Sequence, residues 1–254
     1  STGNYTLPGQ FLSTIQINNP LGSFYGFVYD DVYKDAAATI ATDKNGAQIK
    51  GPNGQPVQMR FNYPVTDYLF QPGDAKYQDI NHDGVIDARD IVYLGNGNPK
   101  FTGGFGPSIT FKRNWKFTTF FSFRYGFSLI NATMYTTTDL NSFDNQSTAV
   151  LRRWQKAGDV TDIPRALYGK TNYNSLGSSR YVQDGSYMKF TSATLRYNFK
   201  DTFVKKLKMK NISTYATSQN IFTFTKYIGQ DPEVSPRASD IYQQPIDNSV
   251  TPPS

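Results

Sequence analysis

The 254-residue chain carries 18 Tyr and 19 Phe, one His, no Cys and a formal charge of +6. Without cysteine there is no disulfide scaffold, no thiol nucleophile and no cysteine-ligated zinc, and no run nears the roughly 18 consecutive apolar residues of a membrane-crossing helix, so a membrane-embedded state would have to be built from strands. The charge invites a nucleic-acid reading around Lys205-Lys206-Leu207-Lys208-Met209-Lys210, but the other basic residues lie among acidic ones and no nucleic-acid motif is present, so no nucleic-acid partner is expected.

The chain opens Ser1-Thr2-Gly3-Asn4, with neither an initiator Met nor a leader nor a lipidation cysteine, so an N-terminal region is expected to be missing. Strands are predicted at about 8–18 and 22–33, joined by the short link Asn18-Asn19-Pro20-Leu21. A long connection over 34–100 follows. Within it, Lys44 to Pro56 carries Asn45-Gly46 and Pro52-Asn53-Gly54 and reads as a surface hairpin. Gln71-Pro72-Gly73-Asp74 reads as a turn rather than the end of a helix.

Residues 79–90 match a twelve-residue calcium loop. A Ca²⁺ ion needs six to eight hard oxygens, and loop positions 1, 3, 5, 9 and 12 are Asp79, Asn81, Asp83, Asp87 and Asp90. Gly84 at position 6 permits the sharp turn, Val85 at position 7 offers its backbone carbonyl, and Ile86 at position 8 points inward as an anchor. Two departures matter: Asp90 replaces the usual Glu, and no amphipathic helix precedes the loop. A sensor depends on a helix pair that reorients when the ion binds, so the expected role is a structural staple. His82 falls at the variable position 4 and is expected to face solvent.

From Trp115 to Phe127 the odd positions are Trp115, Phe117, Thr119, Phe121, Phe123, Tyr125 and Phe127, and the even ones Lys116, Thr118, Phe120, Ser122, Arg124 and Gly126. This period-two alternation suits a strand crossing a bilayer at a tilt, apolar residues toward lipid and polar ones toward a lumen. The preceding strand, 101–111, sets Phe101, Phe105, Ile109 and Phe111 against Thr102, Gly104, Ser108 and Thr110, and Lys112-Arg113-Asn114 makes the turn between them. In the long connection 131–185, Ser147 to Lys156 reads as a short helix closed by Gly158, and Trp154 on it is expected to pack rather than to stack on a sugar. Strands follow at 186–199 and 209–219, linked by Lys200 to Lys208, and 220–254 is a third long stretch. Short and long links thus alternate along some six strands, the habit of outer-membrane barrels, whose periplasmic turns are short and extracellular loops long. The basic link Lys200 to Lys208 would then serve against anionic lipid headgroups.

Four blocks, in order, resemble the C-terminal part of SusC/RagA-type TonB-dependent outer-membrane transporters. They are Pro72-Gly73-Asp74 to Lys76-Tyr77 with Asp79 to Asp90, Gly95, Pro99 and Phe101-Thr102-Gly103-Gly104-Phe105; Trp154 with Thr161-Asp162-Ile163-Pro164-Arg165; Ser179 to Tyr187; and Gln219 to Glu233. The resemblance covers about Gly22 to Tyr242. It implies an all-β fold, the C-terminal portion of a 22-stranded antiparallel transmembrane barrel in the outer membrane of a Gram-negative cell, with extracellular loops at 34–100, 131–185 and 220–254. It implies import of oligosaccharides or peptides, a SusD-like lipoprotein over the loops, and TonB acting through an N-terminal plug region that these residues lack. A final alternating strand is also missing from Tyr242 to Ser254, and an unpaired strand edge cannot persist in lipid, so a longer transporter is expected.

Two other classes compete. A secreted or surface β-rich binding module stapled by calcium would bury the apolar face in a two-sheet core instead of exposing it. A glycoside hydrolase needs two carboxylates facing each other across a bond, and Asp30-Asp31, Asp159 with Asp162, and Asp231 with Glu233 are the available pairs. Nothing in the sequence places them so, and no nucleophile with a nearby base is apparent, so no enzymatic activity is expected. Tyr135, Tyr168 and Tyr173 are loop aromatics that sugar and peptide importers could use alike.

Overall fold

The alternation in the second half of the chain builds one antiparallel sheet. In the computed structural model, which describes residues 4–6, 11–13, 19–64, 66–169, 173–234 and 245–247, the strands Phe101–Phe105, Ser108–Phe111, Trp115–Tyr125, Tyr187–Asn198 and Ser213–Thr225 pair in sequence order, the first two sharing one edge of the third. They form a compact unit spanning Asn98–Ser128 and Asp184–Ile228. Register sorts the side chains. Phe105 faces Phe121, Phe121 faces Phe190 and Phe190 faces Phe222, with ring centroids 5.0, 4.5 and 5.6 Å apart. On the opposite face hydroxyls pair across the strands, Ser108 with Thr118 at 3.2 Å and Thr194 with Thr217 at 3.0 Å. A one-residue slip would exchange the two faces, so the aromatic and hydroxyl ladders specify the same register.

The observed strands differ from the sequence reading where the backbone lacks a donor or a turn intervenes. Gly106-Pro107 breaks 101–111 into two strands, because proline cannot donate to the ladder; the Pro107 carbonyl instead accepts from the Thr119 amide at 3.0 Å. The expected 209–219 strand runs from Ser213 to Thr225, since a helix at Asp201–Lys206 and a left-handed turn at Lys208 use up the residues before it. Its last six residues, Asn220 to Thr225, belong to the stretch expected to be loop, and Thr223 and Thr225 pair with Lys189 and Tyr187.

The remaining chain forms a second compact unit from the described parts of 1–97, 129–183 and 229–254. The expected strand 22–33 is two strands, Ser23–Gly26 pairing with Val92–Asn96 and Tyr29–Val32 pairing with Ala75–Tyr77. Of the expected 8–18 strand, only Phe11–Ser13 is described and is strand, and 14–18 lie outside the described residues. The long connections 34–100 and 131–185 are packed rather than open. Phe27, Tyr33, Met59, Phe61, Phe70, Tyr77, Ile86 and Leu176 bury one another in a single cluster, with Phe27 5.8 Å from Tyr77 and Tyr33 5.4 Å from Phe70. The 44–56 stretch folds back on itself as expected, with antiparallel bridges Thr42 to Gln48 and Lys50 to Pro56.

A helix at Ala132–Thr138 escaped the sequence reading, because Thr133, Thr136, Thr137 and Thr138 are poor helix formers. It forms because Asn131 caps it, accepting from the Met134 amide at 2.7 Å, and because Met134 and Tyr135 pack on a core of Phe24, Ile130 and Tyr181. The expected helix at 147–156 is a shorter 3-10 turn, Thr148–Arg152, capped by Ser147. No described helix is long and apolar enough to cross a membrane. Ile86, fully buried in the aromatic cluster, supplies a test: Ile86→Ala should lower local stability by about 3 kcal/mol, seen as faster amide hydrogen exchange at Phe61 and Phe70, and unchanged protection there would refute its anchoring role.

Candidate metal centre and its scaffold

The 79–90 loop is held at its middle by Val85–Ile86, which pair in parallel with Arg60–Asn62. Ile86 is buried, as the loop pattern requires, and Gly84 has φ +85° with the position of a Cβ only 3.0 Å from the Ala41 Cβ, so glycine answers both a conformational and a steric demand. Asp79 accepts from the amides of Asp83 at 3.2 Å and Gly84 at 2.7 Å, Asn81 Oδ1 accepts from the Asp83 amide at 3.1 Å, and Asp83 accepts from the Val85 amide at 2.9 Å. Asp87 begins a 3-10 turn over Ala88–Asp90 with a reciprocal cap: it accepts from the Arg89 amide at 2.7 Å while Asp90 accepts from the Asp87 amide at 2.8 Å. Asp90, wholly buried, also accepts from the Ile80 amide at 2.8 Å, and so ties the two ends of the loop together. His82 is exposed, as expected.

Charge is arranged unevenly in this loop. Arg89 lies 2.5 Å from Asp83 and 2.7 Å from Asp87. Its hydrogen bond holds the Asp87 carboxyl below the usual range, whereas burial pushes Asp90 up against the pull of its amide donors. Asp79, Asn81 and Asp83 meet around the Asp83 and Gly84 amides, Asp83 and Asp87 share Arg89, and Asp90 closes the far end. Among the described residues no three His, Asp or Glu side chains are arranged to hold a metal ion. The donors are all oxygens, with the Val85 carbonyl among the candidates, a set that suits Ca²⁺ or Mg²⁺ and no soft metal.

The scaffold beside the loop depends on a pair that the sequence reading passed over. Asp74, also wholly buried, accepts from Arg165 Nε at 2.7 Å, the Tyr68 hydroxyl at 2.7 Å and the Gln71 amide at 2.8 Å. The Arg165 amide donates to the Gly73 carbonyl at 2.7 Å, and Asn174 reaches the Arg165 carbonyl at 3.0 Å while accepting from the Ala75 amide at 2.8 Å. Trp154 lies against Gly73, where a Cβ would stand 2.4 Å from the indole, and its Nε1 donates to the Lys34 carbonyl at 3.1 Å. It therefore packs, as expected. The only sequence signal for the Asp74–Arg165 pair is that both residues fall inside blocks of the resemblance, because a contact across 91 positions leaves no local periodicity.

The other candidates have local structural roles. Asp30 pairs with Lys76 at 2.5 Å, Asp162 with Arg152 at 2.8 Å, Asp159 caps the Gln155 and Lys156 amides, and Asp231 accepts from the Glu233 amide at 2.8 Å. Tyr173 stacks on Tyr68 at 4.0 Å and Tyr135 meets Tyr181 edge-on at 5.3 Å, while Tyr168 and Phe143 form an exposed pair at 4.5 Å. Removing one member of a buried pair strands the other charge. Arg165→Met should therefore loosen the turn at 71–75 by about 3 kcal/mol, read as lost amide protection at Gln71 and Ala75; protection equal to wild type would show that Asp74 does not need its partner.

No family model matches the chain. Among known proteins, it is 29% identical to TonB-dependent receptor P3 of Formosa agariphila over 91% of its own length and 21% of the relative's. It is 31% identical to TonB-dependent receptor P26 of the same organism over 64% of its length, and 29% identical to TonB-dependent receptor P39 over 89%. It spans about a fifth of the length of these relatives, the shares being 21%, 16% and 23%. In fold it is similar to a chain of the RagAB peptide importer in its closed-closed state, with a TM-score of 0.60 at 18% identity over 95% of this chain and 22% of that one. A second RagAB structure, of the peptide transporter, gives 0.58 at 17% identity over 95% and 22%. Across nine-tenths of its length, this chain is similar in sequence to a TonB-dependent receptor.

Proposed function

We propose that this chain forms part of the wall and the extracellular loop layer of a TonB-dependent outer-membrane importer of peptides or glycan fragments. In this reading the wall belongs to a 22-stranded barrel, a SusD-like surface lipoprotein covers the loops, and plug and TonB contact lie outside these residues. The two-faced sheet carries the reading. Its three long strands have 11, 12 and 13 residues, enough to cross a bilayer at a tilt. On the apolar face Phe101, Ile109, Phe111, Phe117 and Leu195 are 43–65% exposed, a band that would be costly in water and is stable against lipid. The cargo class is proposed by analogy with a structure of similar fold, that of the RagAB peptide importer.

Leu195 and Thr194 are neighbours on opposite faces, so they separate this reading from a soluble sandwich. Leu195→Lys should cut assembly in the outer membrane, since a lysine on the lipid side carries a cost that rises from the headgroups to about 2–4 kcal/mol at the bilayer midplane, whereas Thr194→Lys should assemble as wild type. Equal assembly of the two variants in membrane fractions would refute a lipid-facing wall.

We further propose that Asp79, Asn81, Asp83, Asp87, Asp90 and the Val85 carbonyl hold Ca²⁺, which would cross-link the loop and need do no chemistry. The support is the donor set, the amide network that already shapes the loop, and Gly84 at its bend. A cation there competes with Arg89 for Asp83 and Asp87. Calcium should slow amide exchange across 79–90, Asp79→Ala with Asp83→Ala should abolish that effect and weaken lipoprotein binding, and Arg89→Ala should tighten Ca²⁺ by up to about fivefold. Exchange rates indifferent to calcium and chelator would remove the ion from the account.

A further inference from the structure

Charge is segregated between the two units. The sheet unit holds thirteen of the 26 Lys and Arg but only two of the 20 Asp and Glu. Nine of those cations gather at one end of the sheet: Lys112 and Arg113 in one turn, Lys116 and Arg196 on the adjoining rungs, and five lysines from Lys200 to Lys210 in the next link. The first turn is bonded to the end of the strand that leads into the second link, because the Asn198 amide donates to the Asn114 carbonyl at 2.8 Å and Asn114 Nδ2 donates to the Asn198 carbonyl at 2.6 Å. Asp201 is the single acid at this end.

Beside these cations the apolar face is hollowed. Ile109, Phe111, Trp115, Phe117 and Leu195 line a shallow groove of about 290 Å³, and the Lys112 ammonium stands at its rim, 5.2 Å from the centre of the Phe111 ring. Trp115 and Tyr197, 4.6 Å apart, mark this end as the depth at which amphipathic rings meet headgroups. We propose that the groove and the basic turns form a binding site for an anionic phospholipid of the periplasm-facing leaflet, an acyl chain lying along the groove and the phosphate held by Lys112 and Arg113. The inference rests on the wall reading above. Charge complementarity favours this occupant: a zwitterionic lipid would gain the same apolar contact, but repulsion of its own headgroup ammonium would offset the attraction of the cations for its phosphate.

The test uses the full-length protein in liposomes of phosphatidylcholine with increasing phosphatidylglycerol, followed by native mass spectrometry of the lipids it retains. Lys112 and Arg113 both have left-handed backbone, at φ 47° and 62°, so Lys112→Asn with Arg113→Gly removes two charges while suiting the turn. Wild type should retain phosphatidylglycerol over phosphatidylcholine, the neutral turn should weaken that retention roughly tenfold or more, and Lys112→Arg with Arg113→Lys should keep it. Insertion with equal retention of both lipids, or retention unaffected by the neutral turn, would overturn this inference and leave the wall intact. Failure of the wild-type protein to insert would overturn the wall reading and this site with it.

Discussion

Strand backbone must find partners on neighbouring strands, and in this protein that requirement fixes the two faces of the sheet. Hydrogen bonding aligns Trp115–Tyr125 between its neighbours, and side chains of period two then have no choice of side. The aromatic ladder Phe105–Phe121–Phe190–Phe222 and the hydroxyl pairs behind it are consequences of one register. A face so apolar is a liability in water and an asset against hydrocarbon, which is why the sheet governs the functional reading more than any cluster of polar groups does.

The loop unit solves a different problem. Residues that would be expected to trail between strands bury a core of aromatic rings and lock it with Asp74, whose carboxylate serves three donors at once. Such an ion pair does not make the unit stable by itself, because desolvation offsets much of its attraction; it makes one arrangement better than its competitors. The 79–90 loop is built on this frame, with Ile86 inserted in the core and Gly84 against Ala41. Its carboxylates are thereby turned toward loop amides and Arg89, the same charges that a hard cation would seek.

Composition misleads when averaged over the whole chain. A net charge of +6 looks modest and evenly spread, yet it is the sum of a strongly basic sheet unit and an acidic loop unit. The basic residues gather in and beside the turns at one end of the sheet, away from the middle of its apolar band.

Much of this was written in local pattern. Alternation from Trp115 to Tyr125, the turn residues at 44–56, and the spacing of Asp79, Gly84, Ile86 and Asp90 each depend on neighbours within a dozen positions, and the strand, the hairpins and the loop bend follow from them. Tertiary packing decided what no window contains. It made a helix of the threonine-rich Ala132–Thr138 by burying Met134 and Tyr135, and extended the last strand to Thr225 by offering Tyr187 and Lys189 as partners. It also joined Asp74 to Arg165 across 91 positions. The physical reason is common to all three: backbone propensity and periodicity are properties of a segment, whereas burial, pairing and charge neutralisation belong to whatever the rest of the chain brings alongside.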